Sequence, residues 1–328
     1  MKRRLSPAAL SAGIPAAAVA RLFYGLMVEA QDLHNGAWLS VLLGAILAMP
    51  VILLAGRCLN GGMAGALKLA LLALLSMDAA AVMEGMAYSE SFIAFDHVPV
   101  VVLMLPLALA LGRSLAVGGD AVGAAARIWM WAFLPLLLVV IAMQLPYYRP
   151  GWLCPMLGYG IGGVLRWSLR AAGWLAMISV AGMAVSDGEM TFVRVRRGLM
   201  LSAVAAALLI VLRLMMTPSM EPAAMTRGLR IDTLLTNGRA PLYLQLPMIV
   251  MWFVGLLHLL CFEGCLALTL LRDIAPSWHS WVRGGLVLLA VIAGALFLPG
   301  FQMGAWGMAL VALTSVAGLW PERKGEAA

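Results

Sequence analysis

Charged residues are scarce in this chain. Only 11% of its 328 residues are Asp, Glu, Lys or Arg, whereas a soluble domain contains about 25%. Hydrophobic residues make up 63% of the chain, and its mean hydropathy is +0.98. A soluble globule cannot hide that much apolar surface, because its own surface grows with its volume. The composition therefore excludes a soluble enzyme and a disordered chain, and it predicts an integral membrane protein.

Cysteine is also scarce, and so are the short motifs of enzymes. Four cysteines provide no disulfide framework. The glycine-rich stretch LGYGIGG (157–163) is not followed by a phosphate-loop lysine, and neither a nucleophile elbow nor a zinc-protease helix occurs. The net charge of +7 is typical of positive loops in a membrane protein. We therefore expect no enzyme activity, no cofactor and no nucleic-acid partner.

Apolar runs bounded by charges, glycine and proline predict ten transmembrane helices in a single domain over residues 1–328. A helix that crosses a bilayer needs ~20 apolar residues. The basic N-terminal segment is interpreted as a retained first helix rather than a cleaved signal peptide. The predicted helices, numbered 1 to 10, are 6–29, 37–56, 64–90, 98–112, 126–145, 164–185, 198–217, 242–271, 281–299 and 303–320.

Lysine and arginine are distributed unevenly between the two sides that ten helices define. With the N-terminus inside, 14 of the 22 fall in or beside inner loops, and seven fall on the outer side. Three predicted outer loops, 30–36, 91–97 and 299–303, contain neither residue. Because positive residues concentrate in cytoplasmic loops, this distribution predicts that both termini are cytoplasmic.

Ten helices divide into two sets of five, about 1–145 and about 146–320. An odd number of helices in each half gives the two halves opposite orientations, as in inverted-repeat transporters whose site lies near the bilayer midplane. The first helix of each half contains small residues, at 13–18 and at 170–174. These segments predict helix breaks that line a cavity; alternatively, small residues merely allow close helix packing.

Two stretches of the first half resemble one known family. The segment 34–47 resembles a motif that opens helix 2, with Asn35-Gly36-Ala37-Trp38 in place of Asp-Ala-Trp. The run 121–140 is similar to a lead into helix 5 that carries Gly123 and Arg127.

The second half carries further similar stretches. The run 154–169 contains Pro155, Gly158 and Gly160 in a Leu-Pro-x-Leu-x-x-Gly pattern before helix 6, and 242–268 has Trp252 and Gly255 in a Trp-x-x-Gly pattern. In order and spacing, the set resembles the spore-germination permeases. These are the B-type membrane subunits of nutrient germinant receptors, within the amino acid–polyamine–organocation superfamily.

This resemblance implies a leucine-transporter-like fold, so that the full expectation is an all-α polytopic membrane protein with ten transmembrane helices in a 5+5 inverted repeat. It implies a small nutrient ligand, usually an amino acid, bound by helices 1, 3, 6 and 8. It also implies partner subunits in a receptor of the spore inner membrane.

Five ionisable residues stand out as candidates deep inside predicted spans. A charge at the centre of a bilayer costs ~2.5–3.5 kcal/mol even on insertion scales, so each needs a partner or a function. They fall on helices 1, 3 and 8, which the resemblance assigns to the site. The five are Arg21, Asp78, Glu84, His258 and Glu263.

Three roles for Arg21 stay open. Its guanidinium could bind a ligand carboxylate through two parallel hydrogen bonds. It could instead form an internal salt bridge with Glu84 or Glu263, or extend towards the outer headgroups. Asp78 and Glu84 are six residues apart and therefore lie on separate faces of helix 3. We favour Asp78 for the buried role, because it is nearer the midplane.

His258, Cys261 and Cys265 form one stripe of helix 8 at positions i, i+3 and i+7. Such a stripe could bind a metal, but no second cluster supplies further ligands, so we expect none. Helix packing is the default interpretation. His258 could alternatively contact the ligand or couple to a proton.

These arguments predict a midplane cavity between helices 1, 3, 6 and 8. Freed backbone groups at breaks in helices 1 and 6 would face the two ends of a zwitterion, and the deep ionisable groups would lie beside them. The predicted ligand-binding residues are Ala17, Arg21, Asp78, Ala171, Ala172, Gly173, Trp174 and His258.

The leading functional hypothesis is a permease-like subunit of a spore germinant receptor, in the cytoplasmic or spore inner membrane. It would sense or transport a small nutrient such as an amino acid, with other receptor subunits and the lipid bilayer as partners. The second hypothesis is an ordinary secondary amino-acid transporter of the same fold. The third is a scaffold subunit with an inactive site, because Ala16–Ala18 stands where the family usually has glycine in helix 1.

Overall fold

The computed structural model describes residues 5–59, 64–93, 98–154, 156–157, 160–186, 192–215, 242–298 and 311–312. Within these ranges the chain is helical, and its one extended pairing is an isolated bridge between Leu5 and Ser186. The long helices are α1 (Pro7–Leu33), α2 (Ala37–Leu59), α3 (Ala64–Ile93), α4 (Val100–Val117), α5 (Gly119–Gln144), α6 (Ile161–Val185), α7 (Phe192–Leu214), α8 (Leu242–Ile274) and α9 (Ser280–Phe297).

The helices have the length and composition of membrane spans. Each of α2 to α9 contains an apolar segment long enough to cross a bilayer, and α1 contains a shorter one over Pro7–Leu22. The prediction of an all-helical polytopic membrane protein is therefore confirmed. Predicted helix 10 (303–320) lies outside the described residues except for 311–312.

Two helices begin earlier than predicted. We expected helix 5 from 126 and helix 7 from 198, whereas α5 begins at Gly119 and α7 begins at Phe192. The predictions followed apolar runs, but a helix satisfies its hydrogen bonds internally and continues through polar residues at the membrane boundary. Gly118 has a φ of 102°, a conformation that favours glycine, and it links α4 directly to α5.

The breaks expected in helices 1 and 6 are wrong. The helix α1 runs continuously through Pro15, and α6 runs continuously through 170–174. In lipid, water cannot replace lost backbone hydrogen bonds, so an unbroken helix is the stable state unless a cavity hydrates the break. The hydroxyl of Ser202 on α7 donates to the Pro15 carbonyl at 3.3 Å and ties α7 to this point.

The small residues instead allow helices to approach closely. A Cβ at Gly44 of α2 would lie 2.7 Å from the Cβ of Ala171 on α6, well inside the 3.5–4.0 Å at which carbon atoms pack. Gly123 of α5 likewise leaves no room for a Cβ beside Ala9 of α1. The alternative in which small residues serve close helix packing therefore accounts for these segments.

The helices pack in two groups. The first contains α1, α2, α6 and α7, and the second contains α3, α4, α8 and α9. Helix α5 packs on α1 and α8. Because α8 and α6 also contact across the two groups, helices α1, α3, α6 and α8 converge at the boundary between them.

Contacts between helix ends agree with alternating membrane crossings. Ser6, just before α1, donates to the Asp120 carboxylate in the first turn of α5 at 2.7 Å from its hydroxyl and 2.9 Å from its backbone nitrogen. Lys68 near the start of α3 pairs with Asp273 at the end of α8 at 2.9 Å. The starts of α1 and α5 thus lie at one side of the molecule, and the bridge between Leu5 and Ser186 places the end of α6 there as well. The start of α3 lies beside the end of α8.

Candidate functional site

Four polar side chains meet where α1, α3, α6 and α8 converge. Each comes from a different helix and lies near the middle of its apolar span or helix. Since a helix supplies no free backbone donors in its interior, polar side chains at this depth depend on one another. We name this group the midspan cluster; its members are Arg21, Asp78, Trp174 and Glu263.

Asp78 is the centre of the midspan cluster. Its Oδ1 accepts from Nη2 of Arg21 at 2.7 Å, and its Oδ2 accepts from Nε1 of Trp174 at 2.6 Å. The same indole N–H also faces Oε1 of Glu263 at 3.2 Å. An indole has a single N–H, so Trp174 bridges the two carboxyl groups.

The midspan cluster is almost sealed from its surroundings. Asp78 is 1% exposed and Glu263 is 0% exposed, while the Arg21 side chain is 18% exposed. Short contacts between ionised groups in such surroundings are strong, but each group would be costly to leave alone. The four side chains therefore hold four helices in one arrangement.

The charges of the midspan cluster do not balance. Two carboxyl groups face one guanidinium, and within the described residues Oε2 of Glu263 has no hydrogen-bond partner. A buried polar atom without a partner costs free energy. One additional positive charge or proton beside Glu263 would therefore balance the charges of the midspan cluster.

The structure answers the question left open for Arg21. The guanidinium forms an internal salt bridge in the middle of the span with Asp78, a partner that we did not consider. The two helices α1 and α3 are brought together by tertiary packing, which spacing along the chain does not reveal. Asp78 is buried as we expected, and Glu84 is buried as well, with 8% exposure.

Glu263 is the member that the predicted site omitted. It was recognised as an intramembrane charge, yet the site on α8 was centred on His258. The depth of Glu263, in the middle of the long apolar segment of α8, was the usable indication, because a carboxyl group there needs a partner. Trp174 was included only as part of helix 6, without its role as a donor.

The small predicted site residues lie in packed interfaces. Ala17 and Ala172 have 0% exposure, and Gly173 is also buried. Ala171 packs against Gly44 of α2 and not against the midspan cluster. These residues are near members of the midspan cluster in sequence, but they lie in contacts between packed helices.

His258 lies apart from the midspan cluster. Its ring stacks on Phe262, with centroids 5.5 Å apart and planes inclined by 28°. The Phe262 ring in turn closes on Gly13 of α1, where no Cβ would fit. Within the described residues no hydrogen bond or ion pair joins His258 to Asp78.

The stripe that contains His258 is a packing surface. On the same helix face, Cys265 donates through its Sγ to the Ser114 carbonyl of α4 at 3.6 Å. Among the residues described, no three His, Cys, Asp or Glu side chains are grouped as metal ligands.

A cavity of about 610 Å³ lies between α1, α5 and α7. None of the eight predicted ligand-binding residues lines it. It forms because these three helices leave a groove along their shared boundary. Among its lining residues are Ser11 and Val19 of α1, Met130 of α5, and Arg197, Leu201 and Ala205 of α7.

Known proteins resemble the chain in fold. No protein-family model matches it, and no curated protein matches it in sequence. Crystal structures of two mutants of the Eremococcus coleocola manganese transporter match with TM-scores of 0.56 and 0.55, and the same transporter in complex with an aromatic bis-isothiourea compound matches with 0.55. Each shows 14% identity and covers 94% of this chain and 76% of its own.

At 14% identity the likeness is one of fold. The chain is an all-helical integral membrane protein with the fold of a polytopic membrane transporter. The midspan cluster lies where four helices of this fold converge.

Proposed function

We propose that this chain is the transporter-fold membrane subunit of a spore germinant receptor, which senses or transports a small nutrient such as an amino acid. The observation that carries the proposal is the midspan cluster, a buried group of ionisable side chains contributed by four helices. Ionisable residues at this depth mark ligand or ion sites by default. The resemblance to spore-germination permeases supplies the receptor context.

The chemistry of the midspan cluster matches a zwitterion. The Arg21 guanidinium is a fork of donors that fits a carboxylate, and the carboxyl groups of Asp78 and Glu263 accept from an ammonium group. Without ligand, Arg21 and Asp78 satisfy each other. An amino acid would exchange this one internal ion pair for two pairs with the ligand, and its ammonium group would lie between the two carboxyl groups.

The packing of the helices supports a 5+5 inverted repeat in a leucine-transporter-like fold. If α6 begins a second half, α1 and α2 correspond to α6 and α7, and these four pack in one group. Likewise α3 and α4 correspond to α8 and α9, which pack in the other. Corresponding helices thus occupy corresponding places, as a repeated architecture requires.

The proposed location is the cytoplasmic or spore inner membrane with both termini inside. The uneven distribution of lysine and arginine supports the orientation. Partner subunits of the receptor follow from the resemblance, and co-purification with a lipoprotein and a soluble-domain protein would test them. If the chain purifies alone from spores under mild detergent, the receptor assignment is wrong.

A proton-coupled secondary transporter is the second candidate, because the midspan cluster lacks one positive charge beside Glu263. A proton there would balance the charges, and its release would favour an ammonium in its place. Uptake of labelled amino acids into proteoliposomes would then depend on a pH gradient, and Glu263→Gln would abolish that dependence. Absence of uptake together with ligand binding favours the sensor.

An inactive scaffold is the third candidate, and the tight packing of Ala17 and Ala172 supports it. It predicts that no amino acid stabilises the purified protein. The structural neighbours are structures of a manganese transporter, but the midspan cluster fits a manganese ion poorly. Within the described residues no group of three metal-ligating side chains occurs, and Asp78 is engaged by Arg21 and Trp174.

Thermal stability with each of the common amino acids would test the ligand site. We expect one or a few of them to raise the unfolding temperature of the wild type. The Trp174→Phe variant should need at least about tenfold more ligand for the same shift. The matched control is Trp129→Phe, because Trp129 also donates its indole N–H, to the Met251 carbonyl at 2.7 Å, but lies outside the midspan cluster. If both variants respond like the wild type, the cluster is not the ligand site.

A further inference from the structure

The groove between α1, α5 and α7 has a polar end and an apolar interior. Its residues on α7 follow one face at intervals of four, from Arg197 through Leu201 to Ala205. On α1 it extends from Ser11 to Val19. Each series extends over eight residue steps, or roughly 12 Å along the helix at 1.5 Å per residue. The three helices are odd-numbered and run in the same direction, so the polar ends of both series lie at the same side.

A second arginine lies at the polar end of the groove. Arg127 is one turn before the lining residue Met130 on α5, and its Nη2 lies 3.5 Å from the Ala8 carbonyl in the first turn of α1. Within the described residues, neither Arg127 nor Arg197 forms an ion pair with a carboxylate. The nearby Asp120 carboxylate accepts from Ser6 instead.

The groove opens on the lipid-facing surface of the protein. Leu201, on its α7 edge, is 65% exposed, and on α5 Ile128 and Trp131 are 72% and 75% exposed. Exposed apolar side chains on a membrane span face acyl chains, and an exposed tryptophan one turn from an arginine is typical of the membrane interface. A molecule in the groove therefore has its apolar part among lipid tails and its polar part at headgroup depth.

We propose that this groove is a binding site for one anionic phospholipid, with its phosphate between Arg127 and Arg197 and an acyl chain along Leu201 and Ala205. Arginine pairs with phosphate through charge-assisted hydrogen bonds, and basic pockets between transmembrane helices at the membrane surface select anionic headgroups. A cavity of about 610 Å³ is in the range of small-molecule sites.

Other occupants fit the groove less well. A neutral acyl chain would leave both arginines unused, and a free phosphate would leave the apolar interior empty. The lipid bridges α1, α5 and α7, so it would favour the conformation in which α1 packs against them. The site is separate from the midspan cluster, and its test does not depend on the nutrient.

Native mass spectrometry of the full-length protein from mixed micelles with equal amounts of phosphatidylglycerol and phosphatidylcholine would test the proposal. We expect one phosphatidylglycerol to remain bound to the wild type. Arg197→Gln and Arg127→Gln should each weaken retention about fivefold, the worth of one basic residue at an anionic surface. Ala205→Phe places a bulky side chain in the groove and should abolish retention of the lipid.

Two control variants isolate the groove. Arg113→Gln removes an exposed arginine of α4 that lies away from the groove, and Val204→Phe enlarges an exposed neighbour of Ala205 that does not line it. Both should retain the lipid. Unfolding temperatures measured without added lipid show whether each variant is folded, and glycerol 3-phosphate, which has no acyl chains, should not replace the lipid.

The proposal is overturned if Arg197→Gln and Ala205→Phe retain phosphatidylglycerol like the wild type, or if phosphatidylcholine is retained equally. It is also overturned if glycerol 3-phosphate alone stabilises the protein as much as the lipid does, because the apolar part of the groove would then be unnecessary. Co-purification of a peptide segment that displaces the lipid from the wild type would assign the groove to a partner instead.

Discussion

The salt bridge between Arg21 and Asp78 allows a direct measurement of what the midspan cluster contributes to stability. Three variants are needed: Arg21→Met, Asp78→Leu and the double substitution. Each replaces a charged side chain by an apolar one of similar volume, so that packing changes little. The double variant removes both charges, and Trp174 keeps Oε1 of Glu263 at 3.2 Å as an acceptor.

The structure sets the expected magnitudes. Removing one partner of a buried ion pair costs about 3–5 kcal/mol, because the other charge is left unpaired. Arg21→Met should lie at the lower end, about 3 kcal/mol, since the Arg21 side chain is 18% exposed. Asp78→Leu should also cost about 3 kcal/mol, since Arg21 keeps its remaining contacts. The double variant should cost about 1 kcal/mol, the net worth of the hydrogen bond between Asp78 and Trp174.

Reversible unfolding in mixed micelles, followed by tryptophan fluorescence, would give the three free energies and their coupling. The control pair is Lys68 and Asp273, whose charged atoms are 2.9 Å apart near helix ends. The Lys68 and Asp273 side chains are 19% and 8% exposed, so their coupling should be smaller than that of Arg21 and Asp78. If the Arg21 and Asp78 substitutions are additive, or if Arg21→Met does not destabilise the protein, the reasoning about the midspan cluster is refuted.

Further predictions concern packing and topology. Gly44→Ala should lower the unfolding free energy by about 1–3 kcal/mol, because its Cβ would lie 2.7 Å from that of Ala171. Gly285→Ala, which meets nothing within 4 Å, should be neutral or slightly stabilising, and equal effects would contradict the packing argument. Single cysteines at His34 and Arg57 should be labelled from opposite sides of the membrane, and labelling from the same side would exclude the predicted alternation of spans.

The sequence identified the charged residues within the spans that need a partner, but it did not show which of them pair with one another. Arg21, Asp78 and Glu263 are recognisable because charges are rare in apolar runs and costly in lipid. Their pairing depends on how α1, α3 and α8 approach one another, and these helices are far apart in sequence. For this reason we considered glutamate partners for Arg21, whereas the structure pairs it with Asp78.

The expected helix breaks show a similar limit. Small residues at 13–18 and 170–174 are compatible with a break and with close packing, because both require a short side chain. Only the neighbour decides between them, and at Ala171 the neighbour is Gly44 of α2. A groove is likewise a property of three helix surfaces and not of any one segment, so the sequence did not indicate the cavity between α1, α5 and α7.

The sequence by itself determined that this protein lies in a membrane, and it determined where most of its spans lie. Burial in lipid is a property of each segment's own composition, because every span must satisfy its backbone internally and present apolar side chains outward. The tertiary structure alone decided that Trp174 bridges two carboxyl groups and that Arg197 lines a groove between α1, α5 and α7. Those relations arise from packing between distant helices, where the position of a side chain depends on surfaces that its own segment does not encode.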